Sequence, residues 1–162
     1  MAISVGDALP EAKLSKVGAE GPEVVDVNAM ATGSKIAVFA VPGAFTGTCS
    51  SVHMPSFIRN ADKFREKGVS EIICVAVNDI FVMDEWSKAT GAGEAGIHLL
   101  ADGDSSFTKS MGMDFSAPPV GLIDRSKRYA MLVEDGKVTA LEVEDNPGQC
   151  SISSGESLLE KV

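Results

Sequence analysis

The sequence predicts an α/β domain: a central mixed β-sheet flanked by helices. Two observations carry this. Continuously apolar runs such as Ile36 to Val41 and Ile72 to Val77 have the length and composition of strands buried on both faces. Amphipathic stretches of helical period separate them, and an Asp135-Gly136 pair divides two later apolar runs as a hairpin turn does. Strand, helix, strand, helix, strand, hairpin, helix is the order of an α/β sheet with an antiparallel edge.

Taken in order, Lys35 to Val41 is a buried strand stopped by Pro42-Gly43. A helix is expected from about Thr48 to Gly68, with Val52, Phe57, Ala61 and Phe64 as its apolar stripe and Gly68 closing it. Glu71 to Val77 is the second buried strand. Asn78-Asp79 then caps a helix running to about Thr90 and carrying Phe81, Val82 and Trp86. Leu99 to Ala101 reads as a short third strand and Ser105 to Met111 as another helix. Tyr129 to Val133 and Lys137 to Val143 form the hairpin, and Ser153 to Val162 closes the chain as a helix capped by Ser153 or Ser154. The glycine-rich patches Gly18 to Gly21 and Thr90 to Gly96 read as surface loops. This order suits a thioredoxin-like core with an N-terminal extension. No repeat or linker interrupts it, so residues 1–162 read as a single domain.

Composition narrows the function. A chain of 162 residues, 44% hydrophobic and 23% charged, can bury one core and is no disordered polymer. Its apolar runs are too short to span a bilayer, and MAISVGDALPE lacks the basic-then-apolar pattern of a secretory signal. Three irregularly spaced cysteines argue against a disulfide framework and for a reducing compartment. A net charge of −9 disfavours nucleic acid and anionic membranes as partners. The expectation is a cytoplasmic protein with a small ligand.

The chemistry points to Val41-Pro-Gly-Ala-Phe-Thr-Gly-Thr-Cys-Ser50, between the best strand and the best helix, where open α/β sheets bind ligands. Cys49 falls at the helix start, where unpaired N–H groups and the macrodipole favour an anion. The thiolate is the reactive form of cysteine. Thr46, three residues earlier, can present a hydroxyl to whatever Cys49 attacks. The plainer alternative makes Cys49 a small buried hydrophobe, as most free cysteines are. No phosphate-loop or dinucleotide glycine pattern is present. His53 and His98 have no zinc spacing with other ligands, and His53 reads as a helix-surface residue or one lying behind the reacting groups. Thr46 occupies the place of the partner cysteine in a C-x-x-C pair, which counts against disulfide exchange. Cys74, between Ile73 and Val75 in mid-strand, reads as an inert buried thiol. Cys150 lies in the polar loop Asn146-Pro-Gly-Gln-Cys-Ser151, where a thiol can be reached.

Pro42, Thr46 and Cys49 match the P-x-x-x-T-x-x-C signature of the peroxiredoxins, and VPGAFTGTCS resembles the type II, class-five branch. VGDALP, HMPSF, IICVAVND, LLAD and KRYAMLVEDGKV extend the resemblance over nearly the whole chain. It implies a thioredoxin fold and a thiol-dependent peroxidase that reduces hydrogen peroxide, alkyl hydroperoxides and often peroxynitrite without metal or haem. On this resemblance Cys49 is the peroxidatic nucleophile, passing through a sulfenic acid. The Thr46 hydroxyl and loop N–H groups near Cys49 donate to the peroxide oxygens, Arg128 is the active-site arginine, and Pro42 packs over the sulfur. Arg125 is a nearby candidate, separated from Arg128 only by the K-R-Y match. Gly47 departs from the proline of many members. Cys150 matches the resolving cysteine of atypical two-cysteine members, while others depend on glutathione with glutaredoxin, or on thioredoxin. A thiol reductant is therefore implied as co-substrate, its identity open. The resemblance also implies a homodimer through Pro42 to Phe45, Ile80 to Met83 and Ala117 to Val120, and Phe45, Ile80 and Phe81 would otherwise be apolar residues on an acidic surface. Two competing readings are a thioredoxin-like disulfide reductase, opposed by the missing C-x-x-C, and a non-catalytic redox sensor or chaperone, which needs neither Thr46 nor the arginine.

Overall fold

Residues 1–162, described by a computed structural model, fold around the apolar runs anticipated as buried strands. The chain begins with a hairpin of β1 (Lys13–Gly18) and β2 (Gly21–Asp26), followed by α1 (Val27–Ala31) and β3 (Lys35–Ala40). A π-helical turn at Cys49–His53 leads into α2 (Met54–Glu66), then β4 (Val69–Ala76), α3 (Ile80–Thr90), β5 (Ile97–Ala101) and α4 (Ser106–Ser110). A small hairpin of β6 (Asp114–Ala117) and β7 (Leu122–Ser126) precedes β8 (Tyr129–Glu134), β9 (Lys137–Val143) and α5 (Gly155–Leu159).

Seven strands form one sheet in the order β2-β1-β5-β4-β3-β8-β9. β3, β4 and β5 run parallel at its centre, and antiparallel pairs flank them on both sides. A strand alternates its side chains between faces, so the unbroken run in β3 feeds two cores. Ala37 and Phe39 pack with Phe57, Phe64, Met83, Trp86 and Leu158 from α2, α3 and α5. Ile36, Val38 and Ala40 pack with Val27, Ala31 and Phe107 from α1 and α4, and with Ile3 and Leu9 from the N-terminal segment.

Local chemistry fixes the helices that matter for the site. Phe57 stacks on Phe39 with ring centroids 3.9 Å apart, which seats α2 on β3. Burying such a side chain is worth about 1.5–3 kcal/mol. The Asp79 carboxylate accepts the N–H groups of Phe81 and Val82, both at 2.9 Å, and caps α3 as expected. Ser154, rather than Ser153, caps α5 by accepting the Ser157 N–H. Gly155 lets α5 approach α2, since a Cβ there would collide with the Ser56 backbone.

Some expectations change. Gly18 to Gly21 is the turn of the β1–β2 hairpin, with Gly18 paired to Gly21, not a free loop. The β6–β7 hairpin was not anticipated. Val52 is exposed rather than part of the helical stripe. The reason is the π-helical turn: the Met54 N–H bonds the Cys49 carbonyl five residues back, so a 3.6-residue period projected through it misassigns the faces. Phe81 is exposed as expected, but Ile80 is half-buried against the core rather than exposed. The closing helix is shorter than Ser153 to Val162.

Candidate active site

After β3 the chain leaves the sheet at Val41 and crosses its end as a loop before entering the π-helical turn. Side chains and backbone pin this loop from several directions. The Asn78 side-chain oxygen accepts the Ala44 N–H at 3.0 Å, the Arg125 Nη1 donates to the Pro42 carbonyl at 3.3 Å, and the Thr46 hydroxyl donates to the Gly43 carbonyl at 2.8 Å. Phe45 adopts φ +63°, the left-handed region disfavoured for a bulky residue, and its ring faces solvent.

Cys49 opens the π-helical turn and is 0% exposed. Arg128, just before β8, is 2% exposed, and its Nη2 donates to Cys49 Sγ at 3.1 Å. Its Nε donates to the Pro147 carbonyl at 3.0 Å, and its Nη1 lies 2.9 Å from His53 Nδ1. A guanidinium has no acceptor, so Nδ1 must carry the lone pair and the proton must sit on Nε2. Nε2 then donates to the Ser153 carbonyl at 2.8 Å. Burial, and after it the Arg128 charge, lowers the His53 pKa to about 3 against the opposing bond to Ser153, so the ring stays neutral.

The expected group therefore assembles. Pro42, Thr46 and Arg128 line a shallow pocket of about 270 Å³ together with Leu122 and Gly148. A Cβ on Gly47 would meet nothing, so the departure from proline leaves open space at the pocket rim. Arg125 lies on the Pro42 carbonyl, and Arg128 is the arginine on the sulfur. Cys150 is half-buried in the adjoining loop, with its sulfur 3.8 Å from the Ser153 hydroxyl. Burial pushes its thiol up. Thr48 joins this loop to the Cys49 loop through a 2.8 Å bond to the Gly148 carbonyl.

His53 corrects the helix-surface reading: it is fully buried, with its ring 5.0 Å from that of Phe39. The spacing of four residues from Cys49 was the signal that it shares the cysteine's side of the helix. Glu144 was missed altogether. It is 6% exposed and receives four hydrogen bonds from Ser151 and Ser153. No motif marked it.

Comparison with known proteins agrees with the geometry. The Redoxin family model matches residues 4–159. Peroxiredoxin-2E-2, chloroplastic, from Oryza sativa subsp. japonica is 46% identical, over 99% of this chain and 72% of its own. Peroxiredoxin-2B of Arabidopsis thaliana is 40% identical, over 99% and 98%. The crystal structure of reduced Prx3 from Vibrio vulnificus in complex with hydrogen peroxide superimposes with a TM-score of 0.91 at 43% identity, covering 98% of each chain. Fold and matches together define a thioredoxin-fold oxidoreductase that works through a cysteine thiol. The chain belongs to the peroxiredoxins and is a thiol-dependent peroxidase.

Proposed function

We propose that Cys49 is the peroxidatic nucleophile and that hydrogen peroxide and alkyl hydroperoxides are its substrates. The observation that carries this is the buried Arg128 guanidinium, 3.1 Å from the sulfur. It donates to the sulfur and can spread its fork over the peroxide as well, which a lysine point charge does less well. The thiolate attacks one peroxide oxygen, the S–O bond forms and the O–O bond breaks. Hydroxide or alkoxide leaves and takes up a proton, and Cys49 becomes a sulfenic acid. Negative charge spreads over both oxygens during the displacement, so pre-set donors lower the barrier. Thr46, expected as a donor, already gives its proton to the Gly43 carbonyl, so its oxygen instead accepts and orients the peroxide O–H, and Arg128 is the donor. Pro42 walls the pocket without adding an N–H that would need a partner. A pocket of about 270 Å³ is roomier than hydrogen peroxide requires, which supports alkyl hydroperoxides as substrates too.

A thiol then condenses with the sulfenic acid, releasing water and leaving a disulfide that a second thiol reduces. Glutathione with glutaredoxin, or thioredoxin, supplies these equivalents. Cys150 is the internal candidate for the first of them, supported by its partial exposure in a loop tied to the Cys49 loop through Thr48. Three free thiols suit a reducing compartment, and we assign the protein to the cytoplasm. A homodimer through the loops around the site is supported by Phe45, Phe81 and Val120, which are 56%, 68% and 73% exposed.

Peroxide consumption by the purified protein, driven by dithiothreitol and then by each reductant system, tests the reading. Mass spectrometry after one equivalent of peroxide should find Cys49 oxidised first. A Cys49–Cys150 disulfide within one chain would establish internal resolution. Sulfenic or sulfinic acid at Cys49 with Cys150 free would assign resolution to an external thiol. Oxidation beginning at Cys74 or Cys150 would overturn the assignment of the nucleophile. Light scattering that finds only monomer at tens of micromolar would remove the dimer.

A further inference from the structure

Arg128 is held by one stretch of chain, residues 144 to 153. The Glu144 N–H donates to the Arg128 carbonyl at 3.0 Å, the Arg128 Nε donates to Pro147, and the Nη1 reaches Ser153 through His53. No residue of this stretch lies in a helix or strand, so something else must fix its shape. The Glu144 carboxylate does so. Its Oε1 accepts the Ser151 N–H at 2.6 Å, the Ser153 N–H at 2.9 Å and the Ser153 hydroxyl at 2.9 Å, and its Oε2 accepts the Ser151 hydroxyl at 3.3 Å.

Burying a carboxylate is expensive unless its lone pairs are satisfied. Here no lysine or arginine forms an ion pair with Glu144, and the compensation comes from N–H and O–H groups of one turn. Burial alone would raise its pKa, but the bonds from Ser153 and Ser151 outweigh that and hold it below the usual carboxylate value. The turn is thus wrapped around the charge. Its product is a fixed Ser153 carbonyl, and that carbonyl selects the His53 tautomer whose Nδ1 receives Arg128.

We infer that Glu144 is a positioning residue for peroxide reduction: by folding the Ser151–Ser153 turn around its carboxylate it sets His53, and through His53 the Arg128 guanidinium, against the sulfur of Cys49. The inference rests on the assignment of Cys49 as the nucleophile. Cys150 lies within the same wrapped segment, so the arginine's support and this thiol are mechanically joined.

The test uses the full chain and single-turnover oxidation by hydrogen peroxide, followed by the fluorescence of Trp86, whose indole N–H bonds Ser50 beside Cys49 at 2.9 Å. Glu144→Ala should slow oxidation about tenfold or more, and Glu144→Gln, which keeps one acceptor oxygen, by about twofold to fivefold. Groups acting as a unit are non-additive, so in an Arg128→Ala background either substitution should change the rate by less than about twofold. The ¹⁵N shifts of the His53 ring should report a single Nε2–H tautomer in the parent and a mixture in Glu144→Ala. A wild-type rate in Glu144→Ala, or an equal loss with and without Arg128, overturns the inference. Should Glu144→Ala fail to fold, Glu144→Gln decides by the same comparison of the two backgrounds. Peroxide turnover persisting in Cys49→Ser would instead strike the assignment of the nucleophile, so the two failures are told apart.

Discussion

Cys49 and Cys74 are buried to the same degree, both 0% exposed, and belong to the same apolar cluster. They differ in what borders the sulfur. Cys74 sits in mid-strand with Phe39 and Leu99 as its neighbours across the sheet, and burial pushes its thiol well up. Cys49 stands at a helix start with a guanidinium on its sulfur and a pocket beside it whose walls include that same arginine. On the proposed assignment, burial therefore does not separate the inert thiol from the reactive one. What separates the two sulfurs in the structure is the guanidinium donor aimed at Cys49.

The comparison breaks most easily at the two sulfurs themselves. Cys49→Ser should abolish peroxide turnover with the circular dichroism spectrum intact. Cys74→Ala should leave turnover within about twofold of the parent and cost about 1 kcal/mol in urea denaturation, the scale of an ordinary core truncation. Turnover retained by the first variant and lost by the second would reverse the assignment.

A second contrast sharpens the first. Arg125 and Arg128 are three residues apart, yet only Arg128 contacts the sulfur while Arg125 steadies the loop through the Pro42 carbonyl. Removing a pre-set donor to the reacting atoms costs about 10²–10³ in rate, so Arg128→Ala should slow Cys49 oxidation by that factor. Arg128→Lys should recover only part of it, because the ammonium cannot span sulfur, histidine and carbonyl at once. Arg125→Ala should cost about tenfold or less, through a looser loop. Stopped-flow oxidation of the three variants orders them, and a larger loss for Arg125→Ala would exchange the two roles.

The parts of this arrangement that were readable in sequence are those written in local pattern. β3 and β4 announced themselves as unbroken apolar runs, Asp79 as a cap and Asp135-Gly136 as a hairpin. Pro42, Thr46 and Cys49 lie within eight residues and carry a signature. What escaped depends on the chain meeting itself. The β1–β2 hairpin carries little apolar alternation because β2 is mostly exposed, so its period was faint. The π-helical turn shifts the helical register through a backbone bond that no residue type reports. His53 touches Arg128 across 75 residues and Ser153 across 100, so its burial follows from tertiary contact alone. Glu144 looks like an ordinary strand-end charge until the turn that wraps it is in place.

His53 gives the effect with a defined pH window. Its folded pKa lies at about 3, because burial first and the Arg128 charge second disfavour the imidazolium. An unfolded histidine titrates near 6.5, so between these values the unfolded chain binds more protons than the folded one. Stability from the neutral ring is fully present above about pH 6.5 and is lost as pH falls toward 3, at about 1.4 kcal/mol per pH unit. Glu144 is also held below its usual value, but its contribution falls away at pH values under the ordinary carboxylate range, outside the interval from pH 7 to 5. Within that interval the parent should lose about 2 kcal/mol more than His53→Asn, whose side-chain oxygen can accept from Arg128 and does not titrate. Urea midpoints of both proteins at pH 7 and pH 5 measure the difference. Parallel losses in the two proteins would mean that His53 is charged, or free to become charged, beside the guanidinium, and the neutral link between Ser153 and Arg128 would fall with it.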